Sequence, residues 1–117
     1  MVARDFTAMA RVDLGDIEHL VLLAILRLKE DAYGIPILDE VSARSGREVS
    51  RATVYVALKR LDQKGLVASK LGESTPERGG RAKRFYRLKP NGLKALRESR
   101  DMFLSLWRDY ESVLDNA

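Results

Sequence analysis

The chain has 117 residues, 45% of them hydrophobic and 32% charged, enough for one small domain with a hydrophobic core and an appended element. It has no cysteine and a single histidine, which excludes disulfides, thiolate chemistry and the usual zinc sites, and no apolar run reaches the ~18 residues needed to span a bilayer. The formal net charge is +4, but Ser50 to Lys89 alone hold eleven basic residues against three acids, so the remainder is net negative. Such asymmetry points to a positive face turned toward nucleic acid or an anionic membrane, whereas an ordinary solvated face would mix the signs. The first residues carry no signal-peptide pattern, and a cytoplasmic protein with no membrane partner is expected.

Residues 1–12 have weak helical spacing through Phe6, Met9 and Ala10 and are expected to form an arm or a short helix. Asp13 or Asp16 can cap the next helix, whose interior, LVLLAILRL from Leu20 to Leu28, is apolar nearly all round. A helix of that kind is buried on most sides, by its own domain or by a partner subunit. His19 stands alone in it, with no second ligand in view, and reads as an ordinary helix residue. Lys29 to Ala32 form a polar break, Gly34-Ile35-Pro36 opens a second helix, and Ser45-Gly46 ends it.

The stretch from Val49 to Leu71 carries the most specific signal. Ser50 is a good N-cap, Val49 and Val54 stand at the positions of a hydrophobic staple, and the helix is expected to begin at Arg51. Val54, Ala57, Leu58 and Leu61 share one stripe, while Ala52, Val56, Lys59 and Gln63 lie on the opposite side. That outer side has no acid and is bordered by Arg51, Tyr55 and Arg60, which suits a helix lying against a polyanion. Gly65 is placed to cap its C-terminus in the left-handed conformation. Two strands follow, Leu66–Leu71 and Arg84–Leu88, joined by a long turn marked by Pro76 and Gly79-Gly80. From Arg78 to Lys89 the turn and returning strand hold only basic charges, including Arg81 and Lys83, and can track a phosphate backbone. The glycines there lack the spacing of a nucleotide-binding loop.

From Pro90 to Ala117 a long helix is expected, with Leu93, Leu96, Phe103, Trp107, Tyr110 and Leu114 forming a stripe at coiled-coil spacing, interrupted at Arg100. A stripe of that length is expected to pair with a partner helix in a homodimer; the alternative is that it folds back on the N-terminal segment of its own chain. Phe103, Trp107 and Tyr110 fall on one side of this helix. They either fill the interface or, with a symmetry mate, line a cleft for a flat aromatic effector.

In order, LVLLAILRL, AYGIPI, SRATVYVALKRLDQKGLV, PERGGRAKRFYRL and NGLKAL resemble the PadR family of transcriptional regulators over about Asp13 to Leu96. The most specific parts are Thr53-Val54-Tyr55 with Leu58, Arg60-Leu61, Gly65-Leu66-Val67, and Gly79-Gly80-Arg81 ahead of Phe85-Tyr86. Lys89-Pro90 departs from the family, which commonly has a threonine there, and Ala52 stands where glycine is frequent. The resemblance implies an α+β, mainly α, winged helix-turn-helix with a long C-terminal dimerisation helix, and repression relieved by a small molecule.

The expected organisation is therefore an arm over residues 1–12, a DNA-binding domain over 13–89 and a dimerisation helix over 90–117. Arg51, Ala52, Val56 and Lys59 are expected at base edges of a pseudo-palindromic double-stranded operator, with Ser50, Thr53, Tyr55, Lys64, Arg78, Arg81 and Lys83 at phosphates. No cofactor, metal or enzymatic role is expected, since no histidine, serine or acid pair stands in a catalytic setting. A winged-helix adaptor that binds protein instead of DNA is the rival reading, and it would be expected to expose apolar residues where this chain has Arg51, Lys59, Arg78 and Arg81.

Overall fold

The computed structural model describes residues 14–72 and 82–116. The first helix, α1 (Asp16–Leu28), follows Gly15, whose N–H is accepted by the Glu18 carboxylate at 2.8 Å, satisfying a donor at the helix start. Gly15 is thus the N-cap and Asp16 the first helical residue, a correction to the capping expected of Asp13 or Asp16; Asp13 lies outside the described residues. Val21, Leu22 and Ile25 are buried, but Leu23 and Leu26 on the other side are exposed. Lys29, at a φ of 55°, ends the helix, and a 3-10 turn (Lys29–Asp31) leads on.

The second helix, α2 (Gly34–Ser45), has Pro36 in its first turn, buries Ile37 and Val41 against α1, and stops at a left-handed Gly46. Glu40 ties the two helices together, receiving Arg27 at 2.9 Å and Arg44 at 3.0 Å. Hydrogen bonds from Arg44 and Arg27 hold its carboxyl below the usual carboxylate range.

The third helix, α3 (Arg51–Gln63), starts where the sequence predicts. The Ser50 hydroxyl accepts the Thr53 N–H at 3.1 Å and sits 2.8 Å from the Thr53 hydroxyl. Val54, Ala57, Leu58 and Leu61 are all buried, and Val49 packs against the same core. At the other end Gly65 takes a φ of 73°, so that the Leu66 N–H reaches the Leu61 carbonyl and the Gly65 N–H the Asp62 carbonyl, each at 3.0 Å. This Schellman closure reverses the chain within two residues and delivers Leu66 and Val67 into the core.

Strands β1 (Val67–Leu71) and β2 (Arg84–Leu88) pair antiparallel, from Val67 opposite Leu88 to Leu71 opposite Arg84. A short extended piece joins the other edge of β2: the Tyr86 N–H donates to the Ala32 carbonyl at 2.8 Å, and Tyr33 bridges Phe85. The wing is thereby fixed to the junction of α1 and α2.

The last helix, α4 (Pro90–Trp107), begins at Pro90 with no side-chain cap, and the Lys89 N–H is taken instead by the Leu66 carbonyl at 2.9 Å. Gly92 lies on that same carbonyl so closely that a Cβ would overlap its oxygen. The helix ends ten residues earlier than expected: Arg108 has an extended backbone (φ −51°, ψ 128°), Asp109 turns left-handed at φ 69°, and turns run on to a 3-10 turn at Leu114–Asn116. Tyr110 and Leu114 are therefore not on the helical stripe. Leu96 also departs from expectation, because with Ala95 it closes the core of its own domain and is 7% exposed. No described helix is long and apolar enough to cross a membrane. The result is a mainly α winged helix-turn-helix with a long C-terminal helix, as the sequence predicts; the arm expected over residues 1–12 lies outside the described residues.

One ion pair joins distant parts of this fold. The Lys64 ammonium sits 2.9 Å from Glu18 Oε1 and 2.8 Å from the solvent-shielded Oε2, linking the end of α3 to the start of α1. Burial pushes the Glu18 carboxyl up, but the bonds from Lys64 and the Gly15 N–H, with the nearby Lys64 and Arg60 charges, outweigh it, and the net shift is downward. A carboxyl lowered on folding stabilises above its unfolded pKa, and that contribution disappears as pH falls through the folded value. Glu18→Gln is therefore expected to lower the urea midpoint at pH 7, by a free energy of about 1–3 kcal/mol, and to flatten the loss of stability in acid. Equal acid sensitivity in both proteins would place the responsible carboxylate elsewhere.

Candidate nucleic-acid interface

The outer side of α3 is exposed to solvent. Arg51, Ala52, Thr53, Tyr55, Val56 and Lys59 are all exposed, and the only acid of the helix, Asp62, stands in its last turn. The side chains expected at base edges, Arg51, Ala52, Val56 and Lys59, rise from one exposed surface on a helix whose opposite side is locked into the core. The order along that surface is cation, methyl, isopropyl, cation, a pattern able to pair guanidinium and ammonium groups with purine acceptors and to set apolar carbon against thymine methyls.

The residues expected at phosphates stand in different parts of the fold. Ser50 and Thr53 are exposed at the start of α3, with both hydroxyls joined in the cap. Tyr55 reaches across to the start of α2, where a Cβ on Gly34 would stand 2.9 Å from its hydroxyl; glycine there leaves room for the ring. Lys83, at the foot of the wing, is held with its ammonium 3.8 Å above the Tyr33 ring, and Tyr33 in turn packs on Phe85 with centroids 5.3 Å apart. Arg78 and Arg81 lie outside the described residues. Lys64 is exposed at the end of α3, with its ammonium 2.8 Å from Glu18 Oε2.

A cleft of about 550 Å³ beside α3 is lined by Ala52, Val56 and Arg60, by Asp16 and Ile17 of α1, and by Arg47. Nothing in the sequence singles out Arg47, which precedes the helix in a polar link; only the fold brings it to the same cleft as Ala52.

A second surface lies on α4. Leu93, Phe103 and Trp107 are 42%, 48% and 41% exposed, and Met102, Leu104 and Leu106 are open beside them. Phe103 stands near His19 of α1, ring centroids 6.4 Å apart, but from Arg100 onward every described residue is exposed, so α4 leaves its own domain beyond Leu96. Tyr110 and Leu114 are exposed on the turns that follow. Leu23 and Leu26 add an apolar surface on α1, in keeping with the sequence of that helix.

The model of the transcriptional regulator PadR-like family matches residues 22–98, from the middle of α1 to the third turn of α4. The chain belongs to this family. Among solved structures, a PadR family transcription regulator from hypervirulent Clostridium difficile superposes with a TM-score of 0.65 at 27% identity, covering 87% of this chain and 97% of that one. A PadR family regulator from Eggerthella lenta, 28% identical, covers 84% of this chain and 83% of its own with a TM-score of 0.63. A PadR-like transcription factor from Bacteroides fragilis, also 28% identical, covers 86% and 89% with a TM-score of 0.65. In this PadR-like chain the matched residues take in α3, the sheet and the Gly92 contact, that is, the parts that set the recognition helix against the wing.

Proposed function

We propose that the protein is a cytoplasmic, dimeric repressor that binds a pseudo-palindromic operator and is released by a planar aromatic molecule. The observation that carries the DNA-binding part is the outer face of α3, exposed along its length and holding Arg51 and Lys59 with no acid between them. Family membership in a group of transcriptional regulators supports the same reading. In this reading Arg51, Ala52, Val56 and Lys59 enter the major groove, while Ser50, Thr53, Tyr55, Lys83, Arg78 and Arg81 hold phosphates on either side. A two-fold dimer sets two such helices about one duplex turn apart, so half-sites are expected roughly 10 bp apart or at a multiple of that.

The dimer reading is supported by the apolar side chains that α1 and α4 leave in water together: Leu23, Leu26, Leu93, Phe103, Leu104 and Trp107 form more exposed apolar surface than a small monomer ordinarily keeps. Phe103→Glu with Trp107→Glu is expected to give a monomer by sedimentation and to weaken operator binding by about a hundredfold, because each half-site is then bound independently. A doubly substituted protein that stayed dimeric would move the interface off α4.

The effector reading is supported by Phe103 and Trp107, aromatic and nearly half exposed, with Tyr110 on the turn that follows. An effector can release the operator only if it binds the free dimer more tightly than the DNA-bound one. Trp107 is the sole tryptophan, so planar aromatic ligands are expected to change its emission and, in parallel, to lower operator affinity. A broad panel that altered neither would remove the aromatic effector from this account.

A further inference from the structure

At the foot of the wing, side chains from two parts of the chain stack in a row. Tyr33, the residue before the first turn of α2, bridges Phe85 of β2 in antiparallel fashion, and beside it the Tyr86 N–H donates to the Ala32 carbonyl at 2.8 Å. The β1–β2 ladder continues one step further, with the Gly72 N–H donating to the Lys83 carbonyl at 2.7 Å. Lys83 therefore stays extended and, two residues before Phe85, shares its face of the wing. Both side chains meet Tyr33: the Lys83 ammonium lies 3.8 Å from the centroid of the Tyr33 ring, and the Tyr33 and Phe85 rings are 5.3 Å apart at 59°. A Cβ on Gly72 would stand 2.8 Å from the Phe85 ring, so glycine there leaves that ring room to lie as it does.

The recognition helix arrives at the same place. A Cβ on Gly34, the residue after Tyr33, would be 2.9 Å from the Tyr55 hydroxyl of α3. One cation of the wing and one hydroxyl of α3, both assigned to phosphates, are thus held against adjacent residues at the start of α2. We propose that Tyr33 is a positioning residue for DNA binding: its ring holds the Lys83 ammonium and through it sets the wing in place relative to α3. This rests on the DNA-binding reading and names a residue that acts through Lys83 and not on the duplex. An ammonium has three N–H donors, so a ring that occupies one side of it leaves donors for a phosphate oxygen on another. Lysine also carries a large rotamer entropy, and restraining it before the duplex arrives removes part of the cost of ordering it on binding. Arg81 lies two residues before Lys83, so the same restraint fixes where the basic turn returns to the fold.

Two measurements test this. In the unsubstituted, DNA-free protein, NMR is expected to find the ε-methylene protons of Lys83 shifted upfield of the ordinary lysine range, because they lie over an aromatic face. Ordinary shifts would overturn the proposal, and this reading needs no variant to fold. In titrations of operator and random duplex across a salt series, Tyr33→Leu is expected to weaken both about tenfold and to lower the slope of log affinity against log salt by about one. Lys83→Ala is expected to do the same, and the two together to do no more than either alone, since they remove one contact. Tyr33→Phe, which keeps the ring, is expected to bind like the unsubstituted protein. Losses that add in the double variant, or a Tyr33→Leu loss with an unchanged salt slope, would make Tyr33 a merely structural residue. Equal losses for Tyr33→Phe and Tyr33→Leu would mean that the hydroxyl itself holds the duplex, which also overturns the proposal. An unsubstituted protein with no salt-dependent binding to any duplex would instead remove the DNA-binding reading, and this role with it, whatever the Lys83 shifts show.

Discussion

Replacing Gly92 by alanine is expected to destabilise the fold by about 3 kcal/mol, a large part of the stability of a domain this size. The added Cβ would overlap the Leu66 carbonyl oxygen and approach the Leu66 carbonyl carbon and Leu88 Cδ2. None of these can yield cheaply. The carbonyl belongs to the two-residue reversal after α3 and already accepts the Lys89 N–H, while Leu88 is paired opposite Val67 in the sheet. Moving α4 outward to make room would uncover Ala95 and Leu96, which close the core from that side. Asn91, exposed in the same turn, is the control: its replacement by alanine is expected to change stability by less than about 0.5 kcal/mol. Urea midpoints at one fixed protein concentration measure both. Equal midpoints for the two variants would mean that α4 does not dock on the Leu66 carbonyl as tightly as described.

Arg51→Ala and Lys59→Ala are each expected to weaken operator binding by about 1–3 kcal/mol, roughly five- to 150-fold, while scarcely changing the affinity for unrelated duplex. The basis is position: both stand on the exposed face of α3, whose buried face fixes the helix axis through Val54, Leu58 and Leu61. Arg81→Ala provides the contrast. Assigned to a phosphate, it is expected to weaken every duplex alike and to reduce the slope of log affinity against log salt by about one. Competition titrations with operator and random DNA at several salt concentrations separate the two behaviours. If Arg51→Ala and Lys59→Ala lowered both affinities equally, α3 would be a backbone clamp and the reading of base edges would have to be sought elsewhere.

Which parts were legible in the sequence follows from the range over which each signal acts. The start of α3, its buried stripe and its Gly65 closure are set by neighbours within a turn or two, and all three are found where the residues predict them. Strand positions were equally plain, because alternation and turn residues bracket them. The Glu18–Lys64 pair was not, since it joins residues 46 apart and neither sits in a motif. Leu96 departs from its expected place for a related reason: heptad spacing identifies a stripe but does not say where along it the helix leaves its own domain, and here the departure comes after Leu96. The helix end at Trp107 carries no glycine or proline, and the left-handed residue that follows is Asp109, a type only moderately favoured there. Arg47 reaches the cleft beside α3 through the turn that follows α2, which no local pattern encodes.

Footprinting of the duplex upstream of the protein's own coding sequence, repeated across a salt series, bears most directly on the claim that α3 and the wing form a DNA-reading surface. The account predicts protection of two related half-sites centred roughly 10 bp apart or at a multiple of that, with log affinity falling linearly as log salt rises. An unprotected promoter, together with no salt-dependent binding to any duplex, would contradict it and leave the winged helix as a surface for protein partners.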